Sequence, residues 1–266
     1  MRAQFNGLVQ ALAPQYLPPS PEVQTADHDV DSLKLRVYTP RALSSEDSMP
    51  VGIFSHGGGY VMGNLDSEDR FCRAIVENTG TIIVSVDWVY RNAFTFHGDR
   101  SKILTIGSSA GAGLALSVAR AALLGHNDLP KDEIRESSLL HRSRCTQTTY
   151  RRSSENRDNV PVIDKSSMDE FYATVAVQPT DASYFVGLDE DNQKSFPPTY
   201  VVTCEFDPLR DDGAVFVASV RSGGREVKHN HYSGLPHCFW LFPTLPETKA
   251  FLEDLYGGIK WVRDSI

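Results

Sequence analysis

KILTIGSSAGAGLALSVARAALLG, residues 102–125, decides the fold class. Its first part is a β-branched, apolar run that reads as a strand buried on both faces. Its last part, rich in Ala and Leu, reads as a helix. Between them Gly107-Ser108-Ser109-Ala110-Gly111 spells G-x-S-x-G. A sharp strand-to-helix turn of this kind lifts one serine hydroxyl above the sheet edge, and its glycines let the backbone pass close to its neighbours. The helix opening at Ala110 turns the positive end of its dipole toward that hydroxyl, which favours a developing negative charge. Alone, the pattern also describes an ordinary glycine turn, so its setting has to decide.

Outward from this unit, strands and helices alternate. Upstream, LKLRVYTP (33–40) and VGIFS (51–55) read as strands, DSEDRFCRAIVENTG (66–80) as a helix stopped by Gly80, and TIIVSVD (81–87) as a buried strand. Downstream, SMDEFYATVAV (167–177) reads as a helix with Ser167 and Glu170 spaced as a capping box. TYVVTCEFD and REVKHNHYSG read as strands, DDGAVFVASVRSGG and LPETKAFLEDLYGGIKWVRD as helices. Residues 1–30 are rich in Pro and Gln, with a short helix expected near Phe5–Leu12. Alternation of this kind predicts an α/β fold, a mostly parallel sheet with helices on both faces.

Three further segments carry chemistry. His56-Gly57-Gly58-Gly59-Tyr60 follows a strand. A triple glycine lets backbone N–H groups face a substrate carbonyl with no side chain in the way, as an oxyanion hole requires. Asp207 and His237 each follow a strand, and open α/β sheets place their sites at carboxyl ends of strands. The chain order Ser109, Asp207, His237 suits a nucleophile, an orienting acid and a general base. Asp211 and Asp212 compete with Asp207, but their place at the next helix start suits N-terminal capping.

HGGGY, GSSAG, CEFDPLRDDG and GLPHCF, in this order, resemble the four signatures of the hormone-sensitive-lipase-like esterases, and the resemblance covers most of residues 30–265. It is strongest to fungal members from secondary-metabolite clusters. It implies the α/β-hydrolase fold in one domain over 1–266, with a small helical cap drawn from residues 1–30 and part of 140–185. By position it implies Ser109, Asp207 and His237 as the triad, and the amides of Gly58, Gly59 and Ala110 as the oxyanion hole. His56 would support the glycine loop together with Gly57, Gly107 and Gly111 would shape the turn, and Tyr60 would line the substrate pocket. The activity implied is cofactor-free hydrolysis of a small carboxylic ester.

Two segments depart from the pattern. Only 14 residues, WVYRNAFTFHGDRS, separate Asp87 from Lys102, where the family carries a full crossover helix. A parallel crossover needs about a dozen residues or more, so closure is barely met, and the strands beneath are expected to lose apolar cover. EIRESSLLHRSRCTQTTYRRSSENRDN (133–159) is dominated by Arg, Ser and Thr where a buried strand belongs. One crossover helix and one strand are therefore expected to be missing or degraded. A skipped exon and a local frame shift would leave such a sequence.

Composition narrows the field. A net charge of −8 argues against a nucleic-acid partner, whose phosphates demand a basic face. No apolar run suggests a membrane span. Cys72, Cys145, Cys204 and Cys238 form no CxxC pair, so buried thiols and a cytoplasmic setting are expected. A dinucleotide site has Gly107, Gly111 and Gly113 with Tyr256 and Lys260 in its favour, but such fingerprints follow a fold's first strand. A metal site would draw on His229, His231, His237 and Cys238; exposed strand polarity explains them as well, and no metal is expected. A ligand-binding member without turnover, as among the gibberellin receptors that resemble this family, remains the alternative to an esterase. The oligomeric state is left open by the sequence.

Overall fold

A computed structural model describes residues 7–8, 10–16, 18–30, 33–44, 46–84, 93–125, 134–140, 160–176, 178, 180–182, 186 and 195–265. Eight strands form one sheet: β1 (Val23–Val30), β2 (Leu33–Pro40), β3 (Met49–Ser55), β4 (Ile82–Val84), β5 (Gly98–Ser108), β6 (Ile134–Leu140), β7 (Thr199–Phe206) and β8 (Val227–Pro236). Their spatial order is β1-β2-β4-β3-β5-β6-β7-β8. The β1–β2 and β2–β4 pairs are antiparallel and all others parallel. The main helices are α1 (Asp69–Thr79), α2 (Ala110–Leu123), α3 (Lys165–Val175), α4 (Arg210–Ser222) and α5 (Pro246–Asp264).

The two-residue period of the strands sorts side chains between two helical layers. Along β7, Tyr200, Val202 and Cys204 pack with Ile75 and Val76 of α1 and Phe251, Leu255 and Ile259 of α5. Val201, on the other face, packs with Ala115, Leu116 and Ala119 of α2 and Phe216 and Val220 of α4. Helix α1 ends as expected: Gly80 is left-handed (φ 63°) and its N–H donates to the Val76 carbonyl at 3.0 Å.

Several expectations are corrected. Val23–Val30, assigned to the cap with the rest of residues 1–30, is instead the edge strand β1, paired residue for residue with β2. The alternation was obscured by Gln24, Asp27, His28 and Asp29, as an edge strand with a solvated face allows. The strand thought degraded is present: β6 pairs in parallel with β5 and β7. Backbone hydrogen bonds on both sides hold it although its composition is polar. In the short connection, the described residues give a 3₁₀ turn, Ala93–Phe96, and β5 begins at Gly98, four residues before Lys102. The strands beneath do not lose their cover: Phe96 packs with Val51, Ile53, Ile82, Val84 and Ile103, and all are buried. Helix α3 is capped by Asp164, which accepts the Ser167 N–H, and not by Ser167. Residues 88–92, 133 and 141–159 of the two departures lie outside the described residues, Cys145 among them.

Candidate active site

Ser109 stands at the end of β5 with φ 52° and ψ −122°, a conformation that side chains rarely adopt. Strain of this kind costs on the order of 1–3 kcal/mol and persists only where the surroundings impose it. The imposition here is backbone contact. A Cβ on Gly107 would lie 2.2 Å from the Gly111 carbonyl oxygen, and one on Gly111 would lie 1.9 Å from that of Ser55. The helix thus crosses the strand ends where only hydrogen fits. Tyr256 and Lys260 lie on α5, which packs on the sheet face opposite the helix that follows this turn.

Asp207 and His237 follow β7 and β8, and the sheet brings both beside Ser109. His237 Nε2 is 2.8 Å from Ser109 Oγ, and His237 Nδ1 is 2.9 Å from Asp207 Oδ2. The acid is completely buried and the imidazole nearly so. Asp207 Oδ1 also accepts the Leu209 N–H at 2.8 Å, which fixes the plane of the carboxylate. Asp211 and Asp212 fall in the first turn of α4, but neither caps it: the N-cap residue is Leu209, with no side-chain bond. Asp211 pairs instead with Arg210, and Asp212 is buried.

The glycine loop lies across from the serine. Gly58 (φ 123°) and Gly59 (φ 59°) occupy backbone regions that favour glycine. A Cβ on Gly58 would meet the Met62 carbonyl at 2.4 Å, and one on Gly59 the Phe171 ring at 2.3 Å. His56 Nδ1 is 2.7 Å from the Gly57 carbonyl, to which it donates, so this histidine sits against the loop and apart from Ser109. Ala110, the first residue of α2, is buried behind the serine.

A cavity of about 230 Å³ opens over Ser109 and His237. Gly57, Gly58, Gly59 and Glu68 form part of its wall, and Met62, Ile163 and Phe171 supply much of the apolar lining. Its roof joins α3 to the chain start: Phe171 and Met168 pack with Met62 and Leu209, and Leu8 reaches the cavity. The Tyr16 hydroxyl donates to the carbonyl of Leu241, which also lines it. Tyr60 is not among the lining residues. The loop reverses at Gly58, whose carbonyl accepts the Val61 and Met62 N–H groups, and this turn presents Met62 instead.

Glu68 was not singled out by the sequence, where it reads as one acid among several at a helix start. Its Oε2 accepts the Gly57 N–H at 2.8 Å, and Ser108 Oγ donates to its carboxylate at 2.8 and 2.9 Å. Desolvation pushes its carboxyl above the usual range, against the lowering effect of those bonds and of nearby His56. Cys238 lines the cavity beside His237, and burial pushes its thiol well up. Among the described residues no three His, Cys, Asp or Glu side chains are grouped to hold a metal. His229 and His231 share one strand face, as their alternate spacing implies, and both bond the Thr203 hydroxyl, at 2.8 and 3.0 Å. His237 is turned away, toward Ser109.

A family profile described as "alpha/beta hydrolase fold" matches residues 52–93 and 86–241. The chain belongs to the α/β-hydrolase fold family. This α/β hydrolase is 37% identical over 98% of its length, and 88% of the relative's, to a versiconal hemiacetal acetate esterase of Dothistroma septosporum. It is 26% identical, over 98% and 90%, to the esterase of the same name from Aspergillus parasiticus. These relatives place the hydrolase among carboxylic ester hydrolases. A thermophilic carboxylesterase from a metagenomic library shares its fold with a TM-score of 0.81 at 21% identity, over 99% of this chain and 96% of the other. No helix among the described residues is long and apolar enough to cross a membrane.

Proposed function

We propose that this hydrolase is a serine carboxylesterase that cleaves a small ester through an acyl-Ser109 intermediate. The observation that carries the reading is the unbroken hydrogen-bonded line from Ser109 through His237 to Asp207, at 2.8 and 2.9 Å, beneath a cavity of substrate size. Ser109 Oγ attacks the ester carbonyl while His237 Nε2 takes its proton. Asp207 holds the imidazole tautomer and stabilises the imidazolium. The carbonyl oxygen becomes an oxyanion, received by the N–H groups of Gly58, Gly59 and Ala110. As the tetrahedral intermediate collapses, His237 returns the proton to the leaving alkoxide, and the alcohol departs. Water then enters by the same route: His237 removes its proton as the water oxygen attacks the acyl carbon, the Ser109 Oγ–acyl bond breaks to release the acid, and His237 returns the proton to Ser109. Every charge is handled by the chain's own groups, so the reaction needs no cofactor.

Residues 7–8 and 10–16 act with α3 as the cap. The cavity is small and largely apolar in lining, which suits a short acyl group. Likeness to the fungal esterases extends the proposal to an acetate ester of a polyketide intermediate, with the cytoplasm as the place of action. The buried free thiols of Cys72, Cys204 and Cys238 accord with a reducing compartment. Purified protein is expected to hydrolyse p-nitrophenyl acetate, and Ser109→Ala to lose turnover by at least about 10³-fold while keeping its circular dichroism. A folded wild type without turnover would overturn the esterase reading and favour a ligand-binding protein. For the polyketide, deletion of the gene is expected to leave an acetate ester accumulating in the producing strain.

A further inference from the structure

Glu68 is the N-cap residue of α1, with φ −127° and ψ 24°. The residues favoured there, Ser, Thr, Asp and Asn, accept an N–H from the first turn of their own helix. Glu68 makes no such bond. Only its main chain serves the helix, its carbonyl accepting the Cys72 N–H at 2.9 Å. The preceding turn fixes the approach: Asn64 Oδ1 accepts the N–H groups of Asp66 and Ser67 at 2.9 and 3.1 Å. The carboxylate is thereby directed inward, to Gly57 and Ser108.

Those two partners occupy equivalent places. Gly57 immediately precedes the glycines of one loop, and Ser108 immediately precedes Ser109 and Ala110 of the other. The loops leave β3 and β5 and touch closely, since a Cβ on Gly57 would lie 3.0 Å from Ser108 Oγ. Gly57 is held at both ends, its N–H by Glu68 and its carbonyl by His56. One carboxylate therefore clasps the backbone that offers oxyanion donors and the backbone that carries the nucleophile.

We propose that Glu68 is a positioning residue for ester hydrolysis, setting the glycine loop in register with the nucleophile turn so that both meet one carbonyl group. This rests on the serine-esterase reading. Donors aimed at a developing oxyanion act in the transition state far more than on the bound ester, so a slip in register lowers kcat and leaves KM nearly unchanged. A residue that only supported the fold would lower the amount of active enzyme or the melting temperature without that division.

The test compares wild type, Glu68→Ala, Glu68→Gln, Ser109→Ala and Ser108→Ala/Glu68→Ala in p-nitrophenyl acetate hydrolysis. Rates are normalised to the folded fraction and to Ser109 labelled by a fluorophosphonate. Glu68→Ala is expected to lower kcat by about 10²-fold, the scale of losing one oxyanion donor, with KM changed less than about three-fold. Glu68→Gln should recover part of the loss, because its amide oxygen can accept the Gly57 N–H while its NH₂ donates to Ser108. The double variant should fall little below Glu68→Ala alone, since the second change removes a bond already broken. If Glu68→Ala does not fold, the Gln variant still carries the division between kcat and KM. Folded Glu68 variants with wild-type kcat, or with their whole loss in KM, would overturn the role while Ser109→Ala remained inactive. No turnover from wild type, or turnover kept by Ser109→Ala, would overturn the esterase reading and this role with it.

Discussion

Two neighbouring glycines in α5 show how closely function and stability depend on single positions. Gly258 lies against the ring of Tyr200, where a Cβ would come within 2.2 Å, whereas a Cβ on Gly257 would meet nothing within 4 Å. Gly257→Ala is therefore expected to stabilise by about 0.5–1 kcal/mol, through helix propensity and a less flexible unfolded chain. Gly258→Ala is expected to destabilise by about 1–3 kcal/mol through overpacking. Thermal melts of the two variants should move in opposite directions, and a common direction would show that α5 does not pack on β7 as described. Glu68 gives a second residue-scale expectation. Burial raises its carboxyl above the ordinary glutamate value of 4.5, so the folded chain binds that proton more tightly than the unfolded chain. Above pH 4.5 the unfolded state releases it first, and stability through this group falls as pH rises toward the folded value. Denaturant melts from pH 4.5 upward should show wild type losing stability relative to Glu68→Gln, and parallel curves would refute this. Residue chemistry explains what could be foreseen. Ser109 was legible because its turn needs a particular run of small residues, and Asp207 and His237 because chain order and strand ends constrain them. Glu68 was not, since its side chain abandons its own helix for two loops distant in sequence. Tyr60 misled because adjacency to the glycines says nothing about which way a reversed turn points.

Elements carry the next level of constraint. Helix boundaries came mostly from breakers and were close: α1 stops at Gly80, and α5 opens on Pro246, as N-terminal proline allows. Helix α3 was set two residues late because the Ser167–Glu170 spacing imitates a capping box, while the cap is Asp164. That cap is half-buried, and its helix carries Phe171 onto the glycine loop. Asp164→Ala is expected to cost about 1 kcal/mol and to raise KM more than it lowers kcat, because it loosens the roof and spares the Ser109–His237–Asp207 line. Steady-state kinetics beside a thermal melt would check both parts. Strand β6 is the opposite case, an element that composition argued against. Its place between β5 and β7 comes from pairing on both edges, which a single segment's composition cannot reveal. A central parallel strand is usually rich in Val, Ile and Leu because helices cover both faces. Arg135, Glu136, Ser137 and Ser138 break that rule.

At the scale of the whole molecule, the decisive feature is the short path from β4 to β5. These strands flank β3 on opposite sides, so the chain must cross the sheet face between Val84 and Gly98. Phe96 shields Val51, Ile53 and Ile103 there, which explains how the core stays closed without a described helix over this stretch. Three features motivate the expectation that the natural message is longer. The family profile matches in two overlapping pieces, residues 52–93 and 86–241, so residues 86–93 are matched twice. The alignment to the Dothistroma septosporum esterase runs over 296 positions, more than the 266 residues of this chain. The polar run after Leu140 is what a local change of reading frame would leave between two intact regions. Sequencing the transcript is therefore expected to return additional codons between those for Val84 and Gly98, enough for a crossover helix. Both forms would then be expressed. The longer one is expected to melt higher, because a helix packed on that face adds apolar burial at roughly 25 cal/mol for each Å² removed from water. Its Ser109–His237–Asp207 line should be unchanged, since the crossover enters β5 at its amino end while those residues follow the carboxyl ends of β5, β7 and β8, on loops fixed by Gly111, Glu68 and Leu209. A transcript that encodes the chain as written, with turnover lost in Ser109→Ala, would mean instead that this fold keeps its chemistry on a crossover trimmed to one described turn and Phe96.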